Sequence, residues 1–272
     1  ARVLVNCAGI SSARLHNMLS DTKYEVIARK GEYYLLDHTV APAFTRTMFQ
    51  TPGKMGKGIL VSPTTHGNLL LGPTAEDVTD DWDTATTAAA LRMVSEKARR
   101  TWPKENLRTC VTTFAGIRAH EKGGDFIVGP TQGVKGAYEA IGIESPGLSA
   151  SPAIAQRLVS QILQDNPLKK KAEWKPAYKG PKPFSGMTIQ ERAEAYAQNP
   201  EYGAVICRCE QVTEAEIRDA IRRPLGARTL DAVKRRTRAG MGRCQGGFCS
   251  PRLLEILAEE LKVDPTQVTK SG

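Results

Sequence analysis

The first 165 residues carry short apolar runs broken by glycine, proline and polar pairs, the pattern of a strand-rich unit. Residues 24–29 and 32–37 read as two strands flanking a bend at Lys30-Gly31. Residues 58–63 and 68–73 flank Thr64-Thr65-His66-Gly67 as a hairpin. The alanine-rich stretch 84–101, with Leu91, Val94 and Ala98 spaced along it, predicts a helix. Strands are expected at 111–119, 126–129 and 138–143, and a helix over 147–163 with Ile154, Leu158, Ile162 and Leu163. The opening Val3-Leu4-Val5-Asn6-Cys7-Ala8-Gly9 reads as a strand running into a glycine turn.

Residues 166–184 form a linker, with Pro167, Pro176, Pro181 and Pro183 and repeated lysines keeping it extended. Beyond it the pattern turns helical. Thr188-Ile189-Gln190-Glu191 and Thr213-Glu214-Ala215-Glu216 are capping boxes. The second opens a helix with Ile217, Ala220 and Ile221 on one face; Thr229 caps another that stops at Gly240. Ser250-Pro251 reads as an N-cap with proline at the first helical position, ahead of Leu253, Leu254, Ile256, Leu257 and Leu261. The fold class is α+β. A mixed or antiparallel sheet with flanking helices spans 1–165, a basic linker and short helix 166–200, and a small helical unit 201–272.

No run of about 18 apolar residues is present, so no membrane-spanning helix is expected. The N-terminus has no signal-peptide pattern, and a cytoplasmic location is expected. The net charge of +9 concentrates in the lysines of the linker and in arginines between and beside the last four cysteines. No aromatic-interleaved platform or helix-turn-helix pattern accompanies the charge, so nucleic acid is not the expected partner.

Those cysteines carry the chemistry. Cys207 and Cys209 are separated by one residue, Cys244 and Cys249 by four, and 34 residues lie between the pairs. Thiolates gathered in this way need a cation or an iron cluster to neutralise them. A structural zinc prefers two to four residues within each pair and fits the spacing poorly. Disulfides suit secreted chains, and nothing in the sequence suggests secretion. A [2Fe-2S] cluster takes four thiolates in pairs on two irons and tolerates the spacing. Gly240, Gly242, Gly246 and Gly247 let the backbone wrap closely, and Cys249 precedes a helix start that favours a thiolate. The neighbouring arginines are expected to offset the negative cluster. Cys7 and Cys110 are expected to be buried bystanders.

The two pairs, together with the run from Lys234 through Gly240-Met241-Gly242-Arg243-Cys244-Gln245-Gly246-Gly247-Phe248-Cys249, resemble the bacterioferritin-associated-ferredoxin-like domain. The four-residue gap resembles the version at the C-terminus of FAD-dependent anaerobic glycerol-3-phosphate dehydrogenase large subunits. Residues 1–165 resemble the same flavoprotein superfamily, which includes glycine oxidase and D-amino-acid oxidase. The matching stretches are Val3 to Gly9, Lys30-Gly31-Glu32-Tyr33, Phe114-Ala115-Gly116-Ile117-Arg118 and Gly142-Ile143-Glu144-Ser145-Pro146-Gly147-Leu148.

This resemblance implies FAD and a [2Fe-2S] cluster as cofactors and a small anionic substrate, glycerol 3-phosphate first, with a 2-hydroxy acid such as 2-hydroxyglutarate or an amino acid as alternatives. It implies that hydride passes to FAD and electrons leave through the cluster to another subunit or a quinone-linked acceptor, which could bring the protein to a membrane. A purely electron-transferring or zinc-stabilised module is the reading from another class. The family's Gly-x-Gly-x-x-Gly turn is not found: Gly240-x-Gly242 follows no strand, and Gln245 stands where the third glycine belongs. The chain is therefore expected to be the C-terminal part of a larger flavoprotein, inactive without the FAD-binding half. Among the residues, the resemblance points to Arg118 for the substrate anion. It points to Glu144, Ser145, Pro146, Gly147 and Leu148 for the flavin. Tyr33 and Tyr34 lie on opposite strand faces, one in the core and one toward the flavin cavity, with Tyr34 the candidate. His66, at the hairpin tip, is a further substrate candidate, although an exposed turn histidine is the plainer reading.

Overall fold

One strand, β2 (Val26–Leu36), organises the larger sheet of the N-terminal unit. The computed structural model describes residues 1–40, 43–51, 58–169, 171–174 and 180–271. The chain divides into two units, Ala1–Glu173 and Trp174–Gly272.

In the first unit, β1 (Leu4–Asn6) leads through a short 3-10 turn into α1 (Ser12–Leu19). β2 follows, then the hairpin β3 (Leu60–Pro63) and β4 (Leu69–Gly72), then β5 (Glu76–Val78). α2 (Ala88–Ala98) is capped by Thr87, whose hydroxyl accepts from the Ala90 amide. β6 (Cys110–Glu121), β7 (Ile127–Pro130), β8 (Ala137–Ile141) and α3 (Gly147–Asp165) complete the unit.

Two sheets result. β1 runs parallel to β8, which pairs antiparallel with β7. The second sheet is antiparallel: β6 pairs with β2 from Val26↔Glu121 to Leu36↔Cys110, while β4 and β5 share the other edge of β2. The hairpin forms as its pattern predicts, with Leu60 opposite Gly72.

The bend expected at Lys30-Gly31 does not form. β2 passes straight through, and Gly31 lies opposite Gly116. Glycine is required there by close approach: a Cβ would stand 2.9 Å from Arg118 Nη2 and 3.0 Å from Pro73 Cβ. Alternation along β2 then divides the chemistry. Leu36 and Tyr34 face Val61, Leu69, Leu71 and Val94 in the core under α2. Arg29, Gly31 and Tyr33 point to the opposite face.

In the second unit, α4 (Ile189–Gln198) and α5 (Glu214–Arg222) both begin with the predicted capping boxes. β9 (Val205–Cys207) and β10 (Val212–Thr213) form a short antiparallel ribbon before α5. α6 (Leu230–Thr237) is capped by Thr229 and ends on Arg238 in the left-handed conformation. α7 (Ser250–Leu261) starts one residue earlier than its Ser-Pro pair suggests, with Cys249 itself as the N-cap. Ile217, Ile221, Val233, Leu253, Ile256 and Leu257 form the core, and Cys207 and Cys249 are part of it. Of the predicted linker, residues 170 and 175–179 lie outside the described residues. Its end is packed: the Phe184 amide donates to Glu216 Oε1 at 3.0 Å, and the Phe184 ring stacks on Tyr202.

Candidate functional site

The four cysteines come together in the second unit as two pairs. β9 delivers Cys207 to the core and releases the chain into the turn that holds Cys209; the Gly240–Cys249 segment wraps back over both. The Cys209 and Cys244 sulfurs are 3.6 Å apart. Cys207 and Cys249 lie beside each other, 1% and 2% exposed. Cys209 is exposed.

Glycine makes this packing feasible. The Gly242 Cα lies against the Cys209 side chain, so any Cβ at 242 would occupy the space of the Cys209 Cβ. Gln245 and Gly246 have φ of +48° and +85°, which curls the chain over Cys244. The Gly240 amide points at Cys207 Sγ from 3.5 Å.

The thiols differ in their electrostatic surroundings. Burial pushes the Cys249 thiol up to about 12, with Cys207 alongside adding to the effect. The Phe248 amide holds Cys244 below its ordinary value, helped by the Cys209 thiol and the Gly246 and Gly247 amides. Among the described residues no three His, Cys, Asp or Glu side chains converge to hold a single ion. Two thiol pairs, one buried and one exposed and amide-lined, fit a two-iron cluster better than one tetrahedral ion. The four predicted ligands thus lie as two close pairs, Cys209 with Cys244 and Cys207 with Cys249.

Several arginines expected to screen the cluster are engaged with carboxylates or carbonyls instead. Arg218 pairs with Glu214, Glu259 and Glu260; Arg222 with Glu260; and Arg252 with Glu214, Glu255 and Glu259. Arg236 donates to the Ala232 and Leu225 carbonyls. Arg238 binds Glu210 beside Cys209 at 2.7 Å. These charges tie α5 to α7 and close the cysteine turn.

In the first unit, Arg118 leans across β2 over Gly31. Its Nη2 donates to the Thr74 carbonyl at 2.6 Å and the Lys30 carbonyl at 3.3 Å, and its Nε to the Arg29 carbonyl at 3.4 Å. Among the described residues Nη1 has no hydrogen-bond partner. On the same face Tyr33 stacks on Phe114, with ring centres 4.9 Å apart, and burial raises the Tyr33 hydroxyl so that it stays protonated. Further along β6, His120 Nδ1 meets Glu144 Oε1 at 2.6 Å. Arg29 and Asp77 form a two-point pair beside them.

His120, which meets Glu144, lies two residues from Arg118 on the same face of β6, and Ser145, Pro146, Gly147 and Leu148 follow Glu144 directly at the start of α3, where Leu148 is 93% exposed. Two candidates lie elsewhere. Tyr34 packs against the core, and Tyr33 takes the open face instead. His66 is an exposed residue at the hairpin tip, beyond the Leu36 end of β2. Arg118 pairs at Arg29, seven residues back along β2, about 24 Å at ~3.4 Å per residue. Sequence reasoning chose Tyr34 over Tyr33 and gave Phe114, Gly31 and His120 no role at the site. The strand period of two, carried through Gly31 without a bend, was the signal that places Tyr33, Phe114 and Gly31 on one face. Cys7 is exposed rather than buried; Cys110 is half-buried.

The chain is similar to known oxidoreductases. It is 47% identical to the glycerol 3-phosphate dehydrogenase of Caloramator mitchellensis, over 99% of the chain and 56% of that protein. It is 26% identical to the mitochondrial L-2-hydroxyglutarate dehydrogenase of Arabidopsis thaliana, over 60% of the chain and 38% of that protein. The dithionite-reduced L-alpha-glycerophosphate oxidase of Mycoplasma pneumoniae, solved with FAD bound, superimposes with a TM-score of 0.56 at 30% identity, over 62% of this chain and 44% of that one. The chain thus spans about half the length of these relatives. Residues 205–259 match the BFD-like [2Fe-2S] binding domain, and residues 1–161 match the FAD dependent oxidoreductase family. With more than half its length so matched, the chain belongs to the FAD-dependent oxidoreductase family and carries a BFD-like [2Fe-2S] binding domain behind its oxidoreductase part.

Proposed function

We propose that the chain supplies the substrate-side sheet and flavin-side helix of a dehydrogenase that oxidises glycerol 3-phosphate, with electrons leaving through the cysteine unit. The observation that carries this reading is Arg118: a guanidinium anchored by three backbone carbonyls, with Nη1 open on a face lined by Tyr33 and Phe114. The anchoring fixes its direction before an anion arrives, so little side-chain entropy is lost on binding.

The residues divide the work. Arg118 holds the phosphate. The protonated Tyr33 hydroxyl is a donor on the same face, and Phe114 excludes water beside it. Glu144, held by His120, fixes the turn from which Gly147 and Leu148 open α3. The N–H groups of that first turn suit the pyrimidine edge of a flavin. FAD, when bound, would supply the hydride acceptor, and a cluster held by Cys207, Cys209, Cys244 and Cys249 would supply one-electron carriage to an acceptor subunit or a quinone-linked partner. Leu4 and Val5 of β1 and Leu15, Met18 and Leu19 of α1 are exposed, an apolar surface suited to the part of the relatives that this chain does not span. No helix among the described residues is long and apolar enough to cross a membrane, so membrane association would run through a partner.

The test co-produces the chain with the part of the Caloramator mitchellensis relative that it does not span. Flavin bleaching is followed anaerobically with glycerol 3-phosphate, L-2-hydroxyglutarate and an amino acid. Bleaching by glycerol 3-phosphate, weakened about 100-fold in kcat/KM by Arg118→Lys for ~3 kcal/mol of charge-assisted bonding, is expected. Bleaching by L-2-hydroxyglutarate alone would move the assignment to the hydroxy-acid dehydrogenases, which the Arabidopsis relative represents.

A further inference from the structure

The turn that carries Glu144 is placed by more than its contact with His120. Gly142, at a φ of +70°, lets this turn press against β6 so closely that a Cβ at 142 would meet the Glu121 side chain. The Glu144 amide donates to the Gly142 carbonyl at 2.9 Å, and the Gly147 amide to the Glu144 carbonyl. The backbone thus delivers the Glu144 carboxylate to the end of β6, where it meets His120 Nδ1 at 2.6 Å.

That contact decides the state of the ring. A carboxylate can only accept, so a neutral imidazole beside it carries its proton on Nδ1 and presents Nε2 as a bare acceptor. Among the described residues Nε2 has no hydrogen-bond partner, and the His120 side chain is 19% exposed, open to a ligand. His120 shares its face of the sheet with Arg118 and Phe114 of β6 and with Arg29 and Tyr33 of β2. Two residues along a strand span about 6.8 Å at ~3.4 Å per residue, the scale of a small molecule whose anion and hydroxyl are a few bonds apart.

We infer that His120 is the general base of the oxidation, taking the substrate's hydroxyl proton on Nε2, with Glu144 as the positioning residue that fixes the tautomer. This rests on the dehydrogenase reading above. The substrate O–H bond breaks and an N–H bond forms at Nε2. The hydrogen on the same carbon leaves with both bonding electrons to the flavin that serves as oxidant, and the alcohol becomes a carbonyl. Glu144 then balances the charge of the imidazolium. The other charged groups facing the ring are Asp77 from β5, Arg29 from β2 and Arg118 from β6. Only the neutral ring can take a proton, so the rate falls as pH drops through the range in which His120 protonates.

Two measurements test this. In the chain as it stands, long-range proton–nitrogen NMR at alkaline pH reads the tautomer of His120, assigned by the signals lost in His120→Asn. A protonated Nδ1 and a bare Nε2 are expected; a proton on Nε2 overturns the inference, because the open nitrogen could not accept. In the flavin-loaded complex with the part of the Caloramator mitchellensis relative that the chain does not span, anaerobic flavin bleaching is followed against pH with glycerol 3-phosphate and L-2-hydroxyglutarate. His120→Asn keeps an N–H for Glu144 and has no base. It should slow bleaching about 100- to 10,000-fold and flatten the acid limb, with half-saturation by substrate near the parent's. Glu144→Gln lets either ring nitrogen carry the proton and should slow bleaching by a smaller factor, with the acid limb in place. Full-speed bleaching by either variant, or an acid limb that persists in His120→Asn, overturns the inference alone. If neither alcohol bleaches the parent complex, the dehydrogenase reading fails and the inference falls with it.

Discussion

Glu32 offers a sharp test of how the oxidoreductase unit is held together. Its carboxylate is 0% exposed, on the core face of β2. It accepts from the Thr87 amide at 2.7 Å and the Thr87 hydroxyl at 3.2 Å, and it stands 3.7 Å from Lys30 Nζ. Thr87 is the N-cap of α2, so Glu32 ties the start of that helix to the middle of the sheet. Glu32→Ala strands a buried amide and removes one counter-charge of Lys30, which keeps Asp83 at 2.7 Å. Breaking a buried ionic contact of this kind costs about 3–5 kcal/mol. In a unit of this size that lowers the thermal midpoint by about 10 °C. Glu32→Gln keeps an oxygen for the Thr87 amide and loses only the charge, about 1 kcal/mol. The assay is urea and thermal unfolding followed by Trp102 fluorescence, since Trp102 packs edge-on against Phe44 beside this core. If alanine costs no more than glutamine, or both fall within about 0.5 kcal/mol of the parent, the carboxylate does not hold the helix and the argument fails.

Three further outcomes are expected. Gly242→Ala should abolish cluster assembly, read as lost iron and sulfide, while far-UV circular dichroism stays near the parent, because the new methyl takes the place of the Cys209 side chain. Ile256→Ala, in the fully buried centre of the second unit, should cost about 2–5 kcal/mol in urea unfolding followed by the Ile217 methyl resonance. Arg222, then Arg218, holds the Glu260 carboxyl below its ordinary range, and Arg218 does the same for Glu259. A depressed folded value stabilises above the unfolded carboxyl range, near ~4.3, and is lost as pH falls through the lower folded value. Acid unfolding of the second unit should therefore lie below that range, and Arg218→Met should move its midpoint to higher pH.

The parts of the fold that were legible in the sequence are those whose causes are local. Both capping boxes form because Thr188 and Thr213 meet glutamates three residues away. The cysteine set was legible for a related reason: four thiols in two close pairs have few uses, whatever surrounds them. Causes that act across the chain were not legible. α1 was passed over because its buried face is built on His16, whose Nδ1 meets Glu139 at 2.7 Å from 123 residues away. Arg218 and Arg222 look like part of a screen for the cluster until α7 brings Glu259 and Glu260 to them from about 40 residues further on.

Gly31 shows how such a misreading displaces function. A Lys-Gly pair between two apolar runs signals a bend, and a bend would reset the alternation of faces on either side of it. The residue that demands glycine there is Arg118, 87 positions later, whose guanidinium crosses the strand to reach the Thr74 carbonyl. Once the strand is continuous, the faces follow: Tyr34 must be core and Tyr33 must share the face of Arg118. The same glycine that hides the strand in the sequence makes room for the anion-binding candidate in the fold. Gly31→Ala should therefore act first on Arg118, because its guanidinium, at 2.9 Å, is the nearest atom to the new methyl, ahead of the Pro73 Cβ at 3.0 Å and the Thr74 carbonyl oxygen at 3.2 Å.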